Sequence, residues 1–136
     1  MKQPYLSECE RRELISRYLG KTVHIEIDRP VGYVHHKAKY DLIYPINYGY
    51  IPGVLGGDAE ELDVYLLGVY EPMKEYDAHI IGAVYRTDDV EDKLVGAPVG
   101  MTFTREEIEA AVRFQEQYHE SYVEVVKKSL KNCQST

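Results

Sequence analysis

The middle of the chain reads Tyr44-Pro45-Ile46-Asn47-Tyr48-Gly49-Tyr50-Ile51-Pro52-Gly53, a stretch rich in tyrosine, proline and glycine. It lies within residues 28–57, which hold eight prolines and glycines. Proline has no amide hydrogen to donate and glycine weakens a helix, so residues 28–57 cannot form a long helix. We therefore expect short strands joined by tight turns in this part of the chain.

Four segments outside this stretch have the sequence pattern of β-strands. They are residues 22–27, 62–69, 78–86 and 94–99. In the first, Val23, Ile25 and Ile27 alternate with polar residues, which predicts one buried and one exposed face. The segment 62–69 is the most strongly apolar.

Two capping boxes, Ser7 with Glu10 and Thr104 with Glu107, predict a helix near each end of the chain. The first helix is expected to cover residues 7–19 and to stop before Gly20. The second is expected to run from Thr104 to about Lys131. Its apolar stripe comprises Ile108, Val112, Tyr118, Tyr122 and Val125.

This order of elements predicts an α+β fold. We expect a small closed antiparallel β-barrel of the OB-like type, with flanking helices that include a long C-terminal helix. A doubly wound parallel sheet is disfavoured, because it needs helices between its strands and the middle of the chain has none. The length of 136 residues suits a single domain, residues 1–136.

The net charge of −7 argues against a nucleic-acid partner, because an acidic surface repels phosphate backbones. Apolar runs are too short to span a bilayer, and the N-terminus lacks the apolar segment of a signal peptide. Cys9 and Cys133 are typical of reduced thiols, with a single bridge between them as the alternative. We therefore expect a cytoplasmic protein with no membrane partner.

Two groups of carboxylates stand beside predicted strands. They are Asp58, Glu60, Glu61 and Asp63, and then Asp88, Asp89, Glu91 and Asp92. Such groups repel one another unless a cation lies between them, and oxygen ligands favour Mg²⁺, Mn²⁺ or Ca²⁺ over zinc. Either group alone has the ordinary composition of a solvated loop. Asp63 favours the metal interpretation, because it leads into the most apolar strand and its charge needs a partner there.

Together, these motifs resemble the soluble, Mg²⁺-dependent inorganic pyrophosphatases of family I, which are built on a small barrel. That family carries Tyr-Pro-x-Asn-Tyr-Gly-[Tyr/Phe]-Ile, then Asp-x-Asp-x-x-Asp, then an Asp followed by Asp and Lys. The corresponding residues are Tyr44–Ile51, then Asp58, Glu60 and Asp63, then Asp88 with Asp92 and Lys93. The likeness runs from about Val23 to about Tyr118 and indicates a short, divergent member.

The resemblance implies that the protein hydrolyses inorganic pyrophosphate to two phosphates by metal-activated water, and that it forms a homo-oligomer. The implied metal ligands are Asp58, Asp63, Asp88 and Asp92, with Mg²⁺ as the cofactor and Mn²⁺ as an alternative. Lys93 is expected to neutralise phosphate, and Tyr48 and Tyr118 to donate hydrogen bonds to it. Glu60 stands where the family has an Asp that helps to activate water. Its extra methylene can displace a base by about 1 Å.

Further departures concern the substrate side of the site. No arginine lies between residues 31 and 51, so the substrate-clamping arginine of the family has no counterpart there. Lys37 is the candidate for the family's early lysine. Arg86, expected to share a strand face with Asp88, is the candidate that compensates for the arginine. His119 stands where the family has a lysine.

Two alternatives stay open. Within the enzymes, the substrate could be another phosphoanhydride, such as a nucleotide or a short polyphosphate. In a different class, the chain could be a non-catalytic member of the family that binds metal or phosphate. The adjacent His35 and His36 point to opposite sides of an extended chain, which disfavours joint binding of one metal ion.

Overall fold

The computed structural model describes residues 5–126. It has two helices, α1 (Glu8–Ser16) and α2 (Arg105–Glu116). The first four strands are β1 (Thr22–Arg29), β2 (Val34–His36), β3 (Asp41–Ile43) and β4 (Asn47–Leu55). The remaining strands are β5 (Glu61–Leu66), β6 (Glu75–Arg86), β7 (Lys93–Ala97) and β8 (Ser121–Val125).

Five strands close into a barrel in the order β1-β4-β5-β7-β6, with β6 pairing back onto β1. β8 extends the sheet beyond β6, and β2 and β3 form a separate two-stranded ribbon. The predicted closed barrel with outer helices is therefore confirmed. It is not wholly antiparallel, because β7 returns from β6 to lie beside β5 in the same direction.

The alternation predicted for the first strand is confirmed. Ile25 and Ile27 are buried, whereas His24 and Glu26 are exposed. β1 and β4 lie very close together at Gly49, where an added Cβ would lie 1.9 Å from the carbonyl oxygen of Glu26. Only glycine fits this contact, which brings the Tyr44–Gly53 stretch against β1.

Two buried clusters hold the helices against the barrel. One includes Leu14 and Ile15 of α1 together with β-strand residues such as Val64 and Leu66. The other includes Ile108 and Val112 of α2 and the opposite face of β5 at Tyr65. β5 is thus covered on both faces from Val64 to Leu66, which explains why these residues are apolar.

The predicted start of each helix is confirmed, because both capping boxes are formed. α1 ends at Ser16, three residues before the predicted end, and a turn leads to Gly20 at a φ of 83°.

The long C-terminal helix is a wrong prediction. α2 ends at Glu116, and residues 121–125 form β8, which pairs with residues 82–86 of β6. Tyr122 and Val125 therefore lie on a strand, where Tyr122 packs against the ring of Tyr85 at 5.2 Å. The open edge of β6 offers hydrogen bonds and an apolar surface that outweigh the weak helical preference of this segment. The rest of the predicted helix, residues 127–131, lies outside the described residues.

Between residues 5 and 126, no helix combines the length and the apolar character needed to cross a bilayer. Cys9 is an exposed free thiol, and Cys133 lies outside the described part of the chain.

Candidate active site

A pocket of about 630 Å³ opens where β1, β4, β5 and β7 meet the C-terminal end of α2. It is lined by Asp28, Arg29, His35, Lys37, Tyr48, Tyr50, Asp58, Glu60, Glu61, Asp63, Arg86, Glu91, Lys93, Gln115, Tyr118 and His119. Six of these residues are carboxylates and four are lysines or arginines. The pocket therefore contains charges of both signs, and it has an excess of two negative charges when histidine is neutral.

Asp63 lies at the centre of one half of this arrangement. Its Oδ2 accepts a hydrogen bond from Lys93 Nζ at 2.8 Å and another from the Tyr48 hydroxyl at 2.9 Å. Lys93 is only 2% exposed, and burial alone would lower its pKa; the charge of Asp63 outweighs that effect and the pKa is raised. Burial, followed by the charge of Asp63, raises the pKa of Tyr48 well above its usual value, so Tyr48 is a neutral donor.

Arg86 lies at the centre of the other half. Its Nε and Nη2 donate to the two oxygens of Glu116 at 3.1 and 2.8 Å. Its Nη1 donates to Asp89 at 3.2 Å and to Glu91 at 3.3 Å. Burial would raise the pKa of Glu116, but the hydrogen bonds from Arg86 and Tyr65 outweigh it and the pKa is lowered. Arg86 is 3% exposed, so its ion pair with Glu116 is buried. All three of its side-chain nitrogens donate hydrogen bonds to carboxylates.

Arg29 is a pocket residue that the sequence analysis missed. A β-bulge between Ile27 and Arg29 turns Arg29 to the face of Tyr48, its partner on β4, so alternation from Ile25 and Ile27 would have placed it on the opposite face. Its Nη1 donates to the Tyr44 hydroxyl and lies 3.3 Å from His35 Nδ1. Arg29 lies two residues before the arginine-free segment 31–51.

Eight of the ten predicted site residues line the pocket. They are Lys37, Tyr48, Asp58, Glu60, Asp63, Arg86, Lys93 and Tyr118. The other two, Asp88 and Asp92, do not line it. His119, noted as a departure from the family, also lines it.

Asp92 is directed away from the pocket. Its Oδ2 pairs with Arg11 Nε at 2.9 Å, and its Oδ1 accepts from the Arg86 amide at 2.9 Å. Residues two apart in an extended chain face the same side, so Glu91 accompanies Lys93 into the pocket and Asp92 faces the other way. The two-residue spacing from Lys93 could have indicated Glu91.

Asp88 lies beside His119, with Oδ2 and Nδ1 3.2 Å apart. The prediction that it shares a strand face with Arg86 is wrong, because β6 ends at Arg86 and the chain bends through residues 87–90. Of the two adjacent histidines, His35 lines the pocket while His36 contacts Asp41 at 2.9 Å.

The donors of the pocket fit a hard divalent cation. Asp28, Asp58, Glu60 and Glu61 form no salt bridge with a lysine or arginine of residues 5–126. Loss of hydration, with the nearby charges of Asp63 and Glu61, raises the pKa of Asp28. Unneutralised carboxylate oxygens of this kind are the ligands that Mg²⁺ and Mn²⁺ prefer.

These oxygens do not yet converge on one point. In the described chain, three ligand atoms lie within 4.8 Å of one another only in His24, Glu26 and Glu75, and in Asp88, Asp89 and His119. Glu60 is exposed and Asp58 half-buried, so their side chains are able to rotate. We therefore infer from the type of ligand atom that the unpaired carboxylates Asp28, Asp58, Glu60 and Glu61 fit a divalent cation.

The sequence profile of the inorganic pyrophosphatase family matches residues 15–132. Inorganic pyrophosphatase 2 of Pseudomonas syringae pv. tomato is 32% identical over 79 residues, which cover 54% of this chain and 44% of that protein. Inorganic pyrophosphatase of Saccharolobus solfataricus is 40% identical over 65 residues, or 45% and 38% of the two chains. The matched part thus spans less than half the length of either relative.

Solved structures agree at the level of the fold. The inorganic pyrophosphatase of Ehrlichia chaffeensis superposes with a TM-score of 0.62 at 17% identity, covering 79% of this chain and 88% of the other. That of Helicobacter pylori gives 0.54 at 17% identity, covering 80% and 84%. At such identities the likeness concerns the arrangement of the strands and helices.

Proposed function

Because the chain belongs to the inorganic pyrophosphatase family, we propose that it hydrolyses inorganic pyrophosphate to two phosphates. One observation carries this proposal. The motif residues Tyr48, Asp58, Glu60, Asp63 and Lys93, which are spread over 46 positions of the chain, line a single pocket. A shared pocket is what a joint chemical role requires.

We propose Mg²⁺ as the cofactor, with Mn²⁺ as a substitute. Pyrophosphate is an anion and the pocket has an excess of two carboxylates, so the two would repel each other without added positive charge. Asp58 and Asp63 would hold the cation; Asp92 is left out because both of its oxygens are engaged elsewhere. A bound divalent cation supplies neutralisation of phosphate charge and lowers the pKa of a water molecule.

The residues of the chain supply positioning. Lys93 is fixed by Asp63 and by the Tyr48 ring, whose centroid lies 5.4 Å from Nζ, so its charge is presented in one place. Tyr48 keeps its proton and donates a hydrogen bond. Lys37 is exposed at the rim, where it can meet a phosphate oxygen. Glu60 has an exposed carboxylate and is our candidate to orient or deprotonate water.

We also propose a cytoplasmic location and assembly into a homo-oligomer. An exposed free thiol at Cys9 is compatible with the reducing cytoplasm. Tyr70, Val99 and Met101 are large apolar side chains with exposures of 65%, 71% and 41%, and they offer a contact surface for a homo-oligomer. We take residues 1–136 as one domain built on the barrel.

A phosphate-release assay tests the proposed reaction. The purified chain is supplied with Mg²⁺ and, in parallel, with pyrophosphate, tripolyphosphate or a nucleoside triphosphate. We expect release from pyrophosphate to be the fastest of the three. Faster release from either other compound would identify a different phosphoanhydride as the substrate, and release from none would indicate a non-catalytic member of the family.

A further inference from the structure

The four cations of the pocket fall into two groups. Arg86 contacts Asp89, Glu91 and Glu116, and Lys93 contacts Asp63 and Glu91. Arg29 and Lys37 form no salt bridge with any carboxylate of the described residues. An anionic ligand gains most from a cation whose charge is not already neutralised. The buried arginine of the pocket is thus a poorer phosphate partner than the half-buried one.

Arg29 is held in place without being neutralised. Its Cζ lies 5.5 to 5.8 Å from the ring centroids of Tyr33, Tyr44 and Tyr48. Aromatic faces attract a guanidinium group and leave its net charge unchanged. Among the described residues, only Nη1 makes hydrogen bonds, so the N–H groups on Nε and Nη2 remain available to a ligand.

A buried chain of hydrogen bonds fixes the position of Arg29 from α2. Tyr44, which accepts from Arg29, donates to Gln115 Oε1 at 2.8 Å. Gln115 Nε2 donates to the Tyr65 hydroxyl at 2.8 Å, and Tyr65 donates to Glu116 Oε2 at 2.5 Å. Glu116 is the bidentate partner of Arg86. This series of hydrogen bonds therefore ends at a neutral phenol, Tyr44, beside Arg29 and at a carboxylate, Glu116, beside Arg86.

We propose that Arg29 is the arginine that binds a phosphate group of the substrate, that Tyr44 positions it, and that Arg86 holds carboxylates without contacting substrate. The inference rests on the proposed function in taking a phosphate compound as the ligand. It reverses the role that sequence spacing suggested for Arg86. An arginine placed at the end of β1 thereby takes over the task for which residues 31–51 offer none.

Calorimetric titration with inorganic phosphate in the presence of Mg²⁺ tests this proposal. The proteins are the full wild-type chain, Arg29→Gln, Arg86→Lys and Arg105→Gln, an exposed arginine outside the pocket that controls for lost charge. We expect Arg29→Gln to weaken phosphate binding at least tenfold. Arg86→Lys should lower the melting temperature and leave the phosphate Kd within twofold, and Arg105→Gln should change neither.

Two further variants keep the test decisive. Arg29→Lys retains the charge but loses the fork of donors; it should weaken binding about threefold to tenfold, and it replaces Arg29→Gln if that variant does not fold. Tyr44→Phe should weaken binding in the wild type but have no added effect in the Arg29→Gln background. Additive effects would show that Tyr44 does not act through Arg29.

Unchanged phosphate affinity in both Arg29 variants would overturn the proposal. So would a tenfold loss in Arg86→Lys with an unchanged melting temperature. The proposed function fails separately: a wild-type chain that binds phosphate through Arg29 but releases none from pyrophosphate contradicts the hydrolysis, not the assignment of Arg29. An active wild type whose KM is the same in Arg29→Gln contradicts the assignment alone.

Discussion

Asp63 and Lys93 are the clearest case of a sequence signal explained by structure at the scale of single residues. A carboxylate at the start of a strongly apolar strand needs a partner, and Lys93 supplies it at 2.8 Å while being 2% exposed itself. Each charge makes the burial of the other tolerable. The pair therefore serves stability as well as any chemistry in the pocket.

Asp63→Asn should remove most of the hydrolysis. Asparagine keeps the shape and one acceptor oxygen but loses the charge that a cation needs. We expect turnover to fall about a thousandfold, which corresponds to about 4 kcal/mol. The protein should also lose about 2 kcal/mol of stability, because Lys93 then lacks a charged hydrogen-bond partner.

The measurement is turnover of pyrophosphate at saturating Mg²⁺, taken well below the melting temperature of the variant. Glu109→Gln, an exposed change on α2 outside the pocket, is the matched control. Near-normal turnover in Asp63→Asn would remove Asp63 from the chemistry of the site.

Glu60→Asp should retain hydrolysis, with turnover at or above the wild-type value. Glu60 is exposed, and its side chain has no hydrogen-bond partner within the described chain, so shortening it breaks no contact there. Aspartate also restores the residue that the family has at this position. Steady-state kinetics and Mg²⁺ titration check the expectation together. A large loss of turnover at unchanged Mg²⁺ affinity would show that the local backbone is adapted to glutamate.

Sequence alone located Asp58, Glu60 and Asp63, three of the six carboxylates that line the pocket, because they are close in the chain. It missed Gln115, which reaches the pocket from a helix about 50 residues away, and Glu116, which holds the pocket residue Arg86; both look like ordinary polar positions of α2. Long-range hydrogen bonding of this kind leaves no local pattern. Glu91, in contrast, was within reach of simple alternation from Lys93, whereas the β-bulge before Arg29 breaks the alternation of β1.

At the scale of elements, α2 does more than cover the barrel. Its last turn carries Gln115 into the pocket and Glu116 against Arg86, and the two side chains connect Tyr44, Tyr65 and Arg86. The start of α2 was predictable from its capping box, whereas its end was not. No glycine or proline follows Glu116 before β8, so sequence offered no stop signal, and the competing partner for residues 121–125 is a strand edge distant in sequence.

The ion pair between Glu116 and Arg86 gives a pH-dependent contribution to stability. The pKa of Glu116 is lowered below its ordinary 4.5 in the folded state, so the unfolded state takes up a proton first as the pH falls. The contribution is therefore complete above about pH 5 and is lost as the pH drops through the folded value. We expect Glu116→Gln to cost about 3 kcal/mol at neutral pH, with a smaller cost below pH 4.

Urea unfolding of the wild type and of Glu116→Gln between pH 3.5 and pH 7 checks this expectation. Glu109→Gln on the exposed face of α2 again serves as the control and should show no such trend. A cost of Glu116→Gln that is equal at both ends of the pH range would mean that Glu116 contributes by packing alone.

At the scale of the whole molecule, the excess of negative charge limits how the pocket can bind an anion. The chain carries a net charge of −7, and the pocket itself has six carboxylates against four lysines and arginines. Arg86 and Lys93 neutralise the inner carboxylates, whereas Asp28, Asp58, Glu60 and Glu61 keep their charge unpaired among the described residues. A phosphate anion can approach that side only together with cations.

The barrel itself followed from a few local rules. Prolines and glycines in residues 28–57 excluded a long helix, and the apolar strands had to close on one another to bury both faces. The parallel pairing of β5 with β7 and the addition of β8 could not be predicted in this way. Both depend on which distant edges meet, and that choice is made by the packing of the complete fold.

Magnesium-dependent hydrolysis is best tested by phosphate release from pyrophosphate by chain stripped with a chelator, before and after a divalent cation is returned. We expect the stripped chain to be inactive, Mg²⁺ to restore turnover best, Mn²⁺ to restore part of it, and Zn²⁺ little, because the unpaired donors of the pocket are carboxylate oxygens. Full turnover by the stripped chain, or restoration by Zn²⁺ alone, would contradict a magnesium-dependent hydrolysis at this pocket.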